Sequence, residues 1–327
     1  MEKKRILSGM RPTGKLHLGH LVGALENWVN LQNEYQNFHL VADWHVLTTD
    51  TQNTAKIPEL TREMVIDWLA AGIDPEKSPI FIQSQVKEHA ELFLILSMLV
   101  TVPRLQRNPA VKEQAKVLNL EDRISYGHLG YPVLQTADII LYQADLVPVG
   151  EDQVPHIELS REIARKFNQI WGETFKLPQA KLTQFPRLPG PDGNKMSKSL
   201  GNHILLCDKP ERVREVVMSA ITDPAKIRRN DPGNPDICNV FAWQKKFNPG
   251  EVSQIETDCR SGKLGCVADK KHCAEKISEF LAPLQERRAH FEKFQDEVED
   301  VIRYGNERAR IEAANTMEKV HQAMGIG

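Results

Sequence analysis

Short β-prone stretches alternate with helical patterns over the first two-thirds of the chain, and that alternation narrows the folds open to it. Residues 4–8, 38–43 and 79–83 are compact apolar or β-prone runs and read as strands. Between them, residues 18–31, 57–71 and 89–102 carry apolar side chains at helical spacing. In the second, Ile57, Leu60, Met64, Val65, Trp68 and Leu69 share one face. Strand, helix, strand implies crossover connections, hence an α/β fold with a parallel sheet. Such sheets bind ligands beyond the carboxyl ends of their strands.

The pattern continues with a helix over 132–142, a strand over 145–149 and a helix from Val154–Pro155, proline suiting a first turn. The segment GEDQ, residues 150–153, then sits at a strand-to-helix junction. Residues 186–202 are rich in turn formers and read as a loop. Beyond it come helices over 210–221, 274–302 and 307–325. The last shows Ile311, Ala314, Met317, Val320 and Met324 as a core-facing stripe.

Composition excludes several classes. With 41% hydrophobic and 26% charged residues, the 327-residue chain is an ordinary globular one. No stretch approaches the ~20 apolar residues of a membrane span. The N-terminus lacks the apolar core of a secretory signal, so a cytoplasmic location with no membrane partner is expected. A net charge of −2 rules out a globally basic nucleic-acid binder and leaves local patches open.

Two short strings carry chemistry. HLGH, residues 17–20, stands where a strand and a small-residue loop give way to a helix. A zincin needs histidines at i and i+4 with a glutamate between, which this spacing lacks. Histidines at a helix entrance also serve plain structural ends. Free N–H groups and the dipole at a helix start suit an anion, and His17 and His20 can donate to phosphate oxygens. Gly19, without a Cβ, leaves room for a nucleotide. KMSKS, residues 195–199, puts Lys195 and Lys198 in a loop, where ammonium groups suit a polyphosphate.

HLGH with KMSKS resembles the signature pair of class I aminoacyl-tRNA synthetases. MRPTGKLHLGHLVGALENW, VADWHVLTT, YPVLQTADIILYQADLVPVGEDQVPHIELSREIARKFN and ITDPAKIRRNDPGNPDICNVF together resemble the bacterial-type tryptophanyl-tRNA synthetases. The resemblance implies a Rossmann-like nucleotide-binding catalytic domain over 1–200 and a helical anticodon-binding domain over 201–327. In this scheme the last helix packs back on the first domain. It implies tryptophan activation by ATP with Mg²⁺, transfer to tRNA(Trp), and a homodimer.

Site roles follow from the same resemblance. His17, His20, Lys195 and Lys198 would be catalytic, with Ser197 and Ser199 assisting. Met10, Arg11, Thr13, Gly19, Gly150, Glu151, Asp152, Leu188 and Met196 would complete the ATP site. Asp138 would accept the indole N–H, an acceptor facing a donor-only group, although a solvent-facing helix aspartate is the plain alternative. Tyr131 and Gln153 would hold the α-amino group. Relatives often carry glutamine where Met10 stands, asparagine for His20 and methionine for Gln135. Arg104, Arg107, Lys112 and Lys116 form a basic segment read either as solvated or as contacting tRNA or phosphate; Arg228 and Arg229 are similar candidates. Asp43 and Trp44 receive no role.

Cys238, Cys259, Cys266 and Cys273 are separated by 20, 6 and 6 residues. Some relatives hold an iron–sulphur cluster on four cysteines in this region, but where their fourth cysteine stands this chain has Asp269. A cluster, a zinc ion or four reduced thiols all remain open; Cys207 reads as structural. Rival readings are a tryptophan-binding regulator, a small-metabolite nucleotidyltransferase and a tyrosine-specific synthetase.

Overall fold

The structure, a computed structural model, describes residues 3–117, 119–120, 122–182 and 188–326. Among the described residues, five strands form one parallel sheet: β1 (Arg5–Met10), β2 (Gln36–Val41), β3 (Ile80–Ile82), β4 (Leu146–Val149) and β5 (Gln179–Leu182). Their spatial order is β3-β2-β1-β4-β5. β1 and β2 run in step from Arg5 opposite Gln36 to Met10 opposite Val41, so their carboxyl ends finish level. The order reverses between β1 and β4, which is where sheets of this kind hold ligands. The sequence reading missed β5: QAKL is short and offers no apolar run, and its strand character comes from pairing with β4.

Helix Ile57–Ala71 matches the periodic reading. Residues 18–31 are helical throughout but pass through a π turn, Leu21–Leu25, between Leu18–His20 and Glu26–Leu31. Residues 89–102 instead divide into Glu88–Ser97 and Val102–Gln106, the second opening on a proline. Helix Tyr126–Leu141 begins six residues before the expected start at 132, because Ser125 caps it by accepting from the His128 N–H at 3.1 Å.

The two long C-terminal helices are Cys266–Lys293 and Gln295–Met324, breaking at Phe294 rather than near residue 303. The expected stripe holds at Met317 and Val320 but is out of phase at its first members. Ile311 is 61% exposed and Ala314 is exposed, whereas Gly305, Ala309, Ala313, Met317 and Val320 are buried. The cause is close approach: a Cβ on Gly305 would lie 1.8 Å from the Ile80 carbonyl oxygen of β3. The helix therefore presents its smallest residues to the sheet, and Asn306 Oδ1 accepts the Ile82 N–H at 2.9 Å.

Two apolar clusters make the core. One joins Leu7, Phe38, Phe81, Tyr142 and Phe167 to Ala309, Met317 and Val320. The other joins Leu16, Leu25, Trp68 and Ile80 to Val213, Trp243, Ile277 and Leu281. Residues beyond 200 thus contribute to both clusters. Within the second core region Asp67, fully buried, accepts the Leu16 N–H at 2.6 Å and pairs with Arg288, itself paired with Glu63. Asp67→Ala leaves a buried guanidinium short of a partner and an amide unpaired. We expect a loss of about 3–5 kcal/mol, read as a lower guanidinium midpoint.

Candidate active site

A cavity of about 920 Å³ opens at the carboxyl ends of β1 and β4. That volume suits an amino acid with a nucleotide beside it. Met10 and Arg11 leave β1 into its wall, Gly150, Asp152 and Gln153 follow β4, and helix Tyr126–Leu141 contributes Tyr131, Gln135 and Asp138. Lys195 reaches the wall from the KMSKS loop.

The remaining expected ATP residues stand beside this wall rather than on it. HLGH is nevertheless tied by backbone to residues 204–206, which follow KMSKS in the chain. The Leu18 N–H donates to Ile204 O and the Leu206 N–H to Leu16 O, each at 2.9 Å, with His17 opposite Leu205. The Lys198 ammonium donates to the Thr13 carbonyl. Met196 and Leu188 are buried in the core on this side of the sheet. Ser197 and Ser199 hydroxyls lie 2.8 Å apart. Glu151 is exposed on the turn Glu151–Gln153.

The histidine pair forms a reciprocal cap. His17 Nδ1 accepts the Gly19 N–H at 3.1 Å, and His20 Nδ1 accepts the His17 N–H at 3.3 Å. An accepting Nδ1 puts the ring proton on Nε2, so each imidazole keeps one N–H to donate. Gly19 turns out to make room for the His17 ring: a Cβ there would stand 2.9 Å from its Cε1. The histidine pair adds no positive charge of its own near neutral pH. Burial, then Lys198, Lys195 and His203, push His20 down to about 4; burial, His20, His203 and both lysines push His17 to about 3. Both are neutral donors near pH 7, and the cationic charge resides in the lysines.

Asp138 is only 3% exposed. Burial opposes its ionisation most, but bonds from His45 and His89 outweigh that and hold the carboxyl at about 2. The solvent-facing alternative for this residue is therefore excluded. Tyr131 bonds His156 Nε2 at 3.3 Å, and burial pushes its phenol up to about 12.

Sequence reasoning missed His45, Gln83 and His203. His45 and Gln83 follow the ends of β2 and β3, a position that was itself the available signal. The His203 ring lies 5.9 Å from that of His17, tilted by 44°, and its position carried no such signal. Asp43, left without a role, caps the turn Trp44–Leu47 and accepts the Ser84 N–H at 3.0 Å.

The basic segment is less convergent. Arg104 is taken by a bidentate pair with Glu162 at 2.7 and 2.9 Å. Arg107 bonds the Pro103 carbonyl at 3.1 Å, and Lys112, Lys116, Arg228 and Arg229 are exposed.

The four-cysteine metal reading is corrected. Among the described residues, no group of three or more His, Cys, Asp or Glu side chains is arranged to hold a metal ion. Asp269 is buried and accepts from Gln244 Nε2 at 2.8 Å. Cys273 lies one turn on, fully buried, its Sγ 4.0 Å from the Val240 carbonyl oxygen. Burial raises the Cys238, Cys259 and Cys273 thiols, so they stand protonated in this arrangement.

Neutral histidines at a helix start, beside lysines from a turn-rich loop at the switch point of a parallel sheet, define a class I, Rossmann-type nucleotide-binding enzyme. The family model for class I tRNA synthetases (W and Y) matches residues 1–282. The chain belongs to this family. A tryptophan–tRNA ligase of Thermotoga maritima is 51% identical over 325 residues, covering 98% of this chain and 99% of its own. One of Aquifex aeolicus is 44% identical over 98% of this chain and 100% of its own. The solved tryptophanyl-tRNA synthetase of Campylobacter jejuni, complexed with ADP and tryptophan, superposes with a TM-score of 0.89. It is 31% identical, and the match covers 98% of this chain and 100% of that one. No helix among the described residues is long and apolar enough to cross a membrane.

Buried neutral histidines make the fold acid-sensitive. His39 is fully buried, both its ring nitrogens lack partners, and burial pushes it to about 3. Its folded value lies below the ordinary 6.5, so the unfolded chain binds more protons between the two. Stability is full above pH 6.5 and declines as pH falls towards 3. Urea midpoints should drop from pH 7 to pH 5, and His39→Leu should shrink that drop by about 2 kcal/mol.

Proposed function

We propose that the chain is a tryptophan–tRNA ligase. It activates L-tryptophan with ATP, giving tryptophanyl-adenylate and pyrophosphate, and then transfers tryptophan to tRNA(Trp). The observation that carries this reading is Asp138: an ionised acceptor, buried, on the wall of a cavity that Lys195 also reaches. An indole N–H is donor-only and matches it.

In the first step the tryptophan carboxylate attacks the α-phosphorus of ATP, and the bond to the β-phosphate oxygen breaks. Such chemistry asks for alignment and charge neutralisation more than for a general acid or base. His17 and His20 donate through Nε2–H to phosphate oxygens. Lys195 and Lys198 neutralise the departing pyrophosphate, and the Ser197 and Ser199 hydroxyls assist. Gly19, Met196, Leu188, Met10, Arg11 and Thr13 bound the adenosine, and Gly150, Glu151 and Asp152 the ribose. Tyr131 and Gln153 hold the α-ammonium group. Mg²⁺ bound to the incoming ATP would supply further neutralisation of its phosphates beside Lys195 and Lys198. Lys112, Arg228 and Arg229 are exposed to meet tRNA phosphates, Arg107 does so beside its bond to the Pro103 carbonyl, and Arg104 must first leave Glu162.

The enzyme acts in the cytoplasm as a homodimer. Leu94 (57% exposed), Met98 (74%) and Val102 (51%) supply the apolar surface for a second copy.

Pyrophosphate exchange with tryptophan and tyrosine in parallel tests the assignment, because a phenol O–H also suits Asp138. Exchange should depend on tryptophan and not on tyrosine; the reverse would refute the reading. Lys195→Ala or Lys198→Ala should slow exchange by about 10²–10³-fold with little change in tryptophan KM.

A further inference from the structure

The Asp138 carboxylate is enclosed by donors that come from three other elements. Gln83 Nε2 and His89 Nδ1 each donate to Oδ1 at 2.7 Å, and His45 Nε2 donates to Oδ2 at 2.9 Å. A carboxylate offers about four lone-pair positions. Both on Oδ1 are taken, and one on Oδ2 remains beside the cavity that Asp138 lines.

Behind these donors stands a second tier that fixes them. The Tyr142 hydroxyl donates to His89 Nε2 at 2.8 Å, which leaves the ring proton on Nδ1, facing Asp138. The Trp44 N–H donates to Gln83 Oε1 at 3.1 Å, which turns the amide nitrogen towards Asp138. Gln83, His89 and Tyr142 are all fully buried. Neither the ring nor the amide can reverse without leaving a buried polar atom unpaired.

We propose that His89, Gln83 and Tyr142 are positioning residues for substrate selection: they saturate Oδ1 of Asp138, so that His45 and the indole N–H share Oδ2. The proposal rests on the tryptophan–tRNA ligase reading. Its chemical content is discrimination by a single unsatisfied acceptor. A side chain that brings no donor leaves that buried lone pair unpaired, so it is rejected even when its shape fits. A carboxylate freed to turn would lose that discrimination, because it could satisfy itself by rotating towards a neighbour.

The test uses the full chain in ATP–pyrophosphate exchange with tryptophan and with its benzothiophene analogue, in which sulphur replaces the indole N–H. The unaltered enzyme should prefer tryptophan by about 10²-fold or more in kcat/KM. His89→Leu should raise the tryptophan KM about tenfold, leave the KM for ATP unchanged, and cut the preference below tenfold. His89→Asn, whose amide nitrogen falls near the place of Nδ1, should recover most of that preference. Gln83→Met has the same length but no donor, and Asp43 still accepts the Trp44 N–H at 3.0 Å. It should shift the preference in the same direction, and it decides the matter should His89→Leu fold poorly. Equal losses in the Leu and Asn variants, with the preference for tryptophan intact, would overturn the positioning role. Absence of tryptophan-dependent exchange in the unaltered chain would instead overturn the ligase reading on which the proposal rests.

Discussion

The pairing of residues 16–18 with residues 204–206 is the constraint on which the rest of the site depends. Two N–H···O bonds of 2.9 Å join segments almost two hundred positions apart, and they lie immediately beside HLGH and just after KMSKS. That strip adds a second hold on a loop already anchored by the buried Met196. With it, Lys195 and Lys198 act electrostatically on both histidines, and Lys198 touches the Thr13 carbonyl. Asp67 extends the tether by holding the Leu16 amide from within the core, where Arg288 of helix Cys266–Lys293 holds Asp67 in turn. The C-terminal helices therefore help set the geometry of the nucleotide end of the cavity.

The opposite end of the cavity is organised by a different force. At the nucleotide side, charge is kept on flexible ammonium groups while the imidazoles stay neutral, so the fixed scaffold is a set of donors. At the amino-acid side a full negative charge is buried on Asp138 and stabilised by three fixed donors. A buried carboxylate is tolerated only when it is hydrogen-bonded in this way. Helix Tyr126–Leu141 lines this cavity with both Tyr131 and Asp138.

Much of this was legible in order along the chain. Apolar spacing gave helix Ile57–Ala71 at its observed bounds, and the strand–helix alternation gave the parallel sheet. What the pattern could not give was the phase of helix Gln295–Met324. Periodicity favours large apolar residues, and the contact with β3 demanded Gly305 and alanines because a backbone approaches a backbone there. The cysteine group was left open for a related reason. Its spacing alone was weak evidence, and it was packing that buried Cys273 in the core and gave Asp269 to Gln244.

Sequence by itself determined the residue types that any nucleotide chemistry here must use: two histidines around a glycine, two lysines in a turn-rich loop, and an aspartate on an apolar helix. These are local facts, set by side-chain chemistry and short-range propensity. Tertiary structure alone decided their states. Burial and reciprocal capping made the histidines neutral and fixed which nitrogen donates. Donors from the ends of β2 and β3 and from helix Glu88–Ser97 kept the aspartate ionised and left it one free acceptor position. Protonation and orientation depend on the dielectric surroundings and on partners distant in the chain, and only the folded arrangement supplies those.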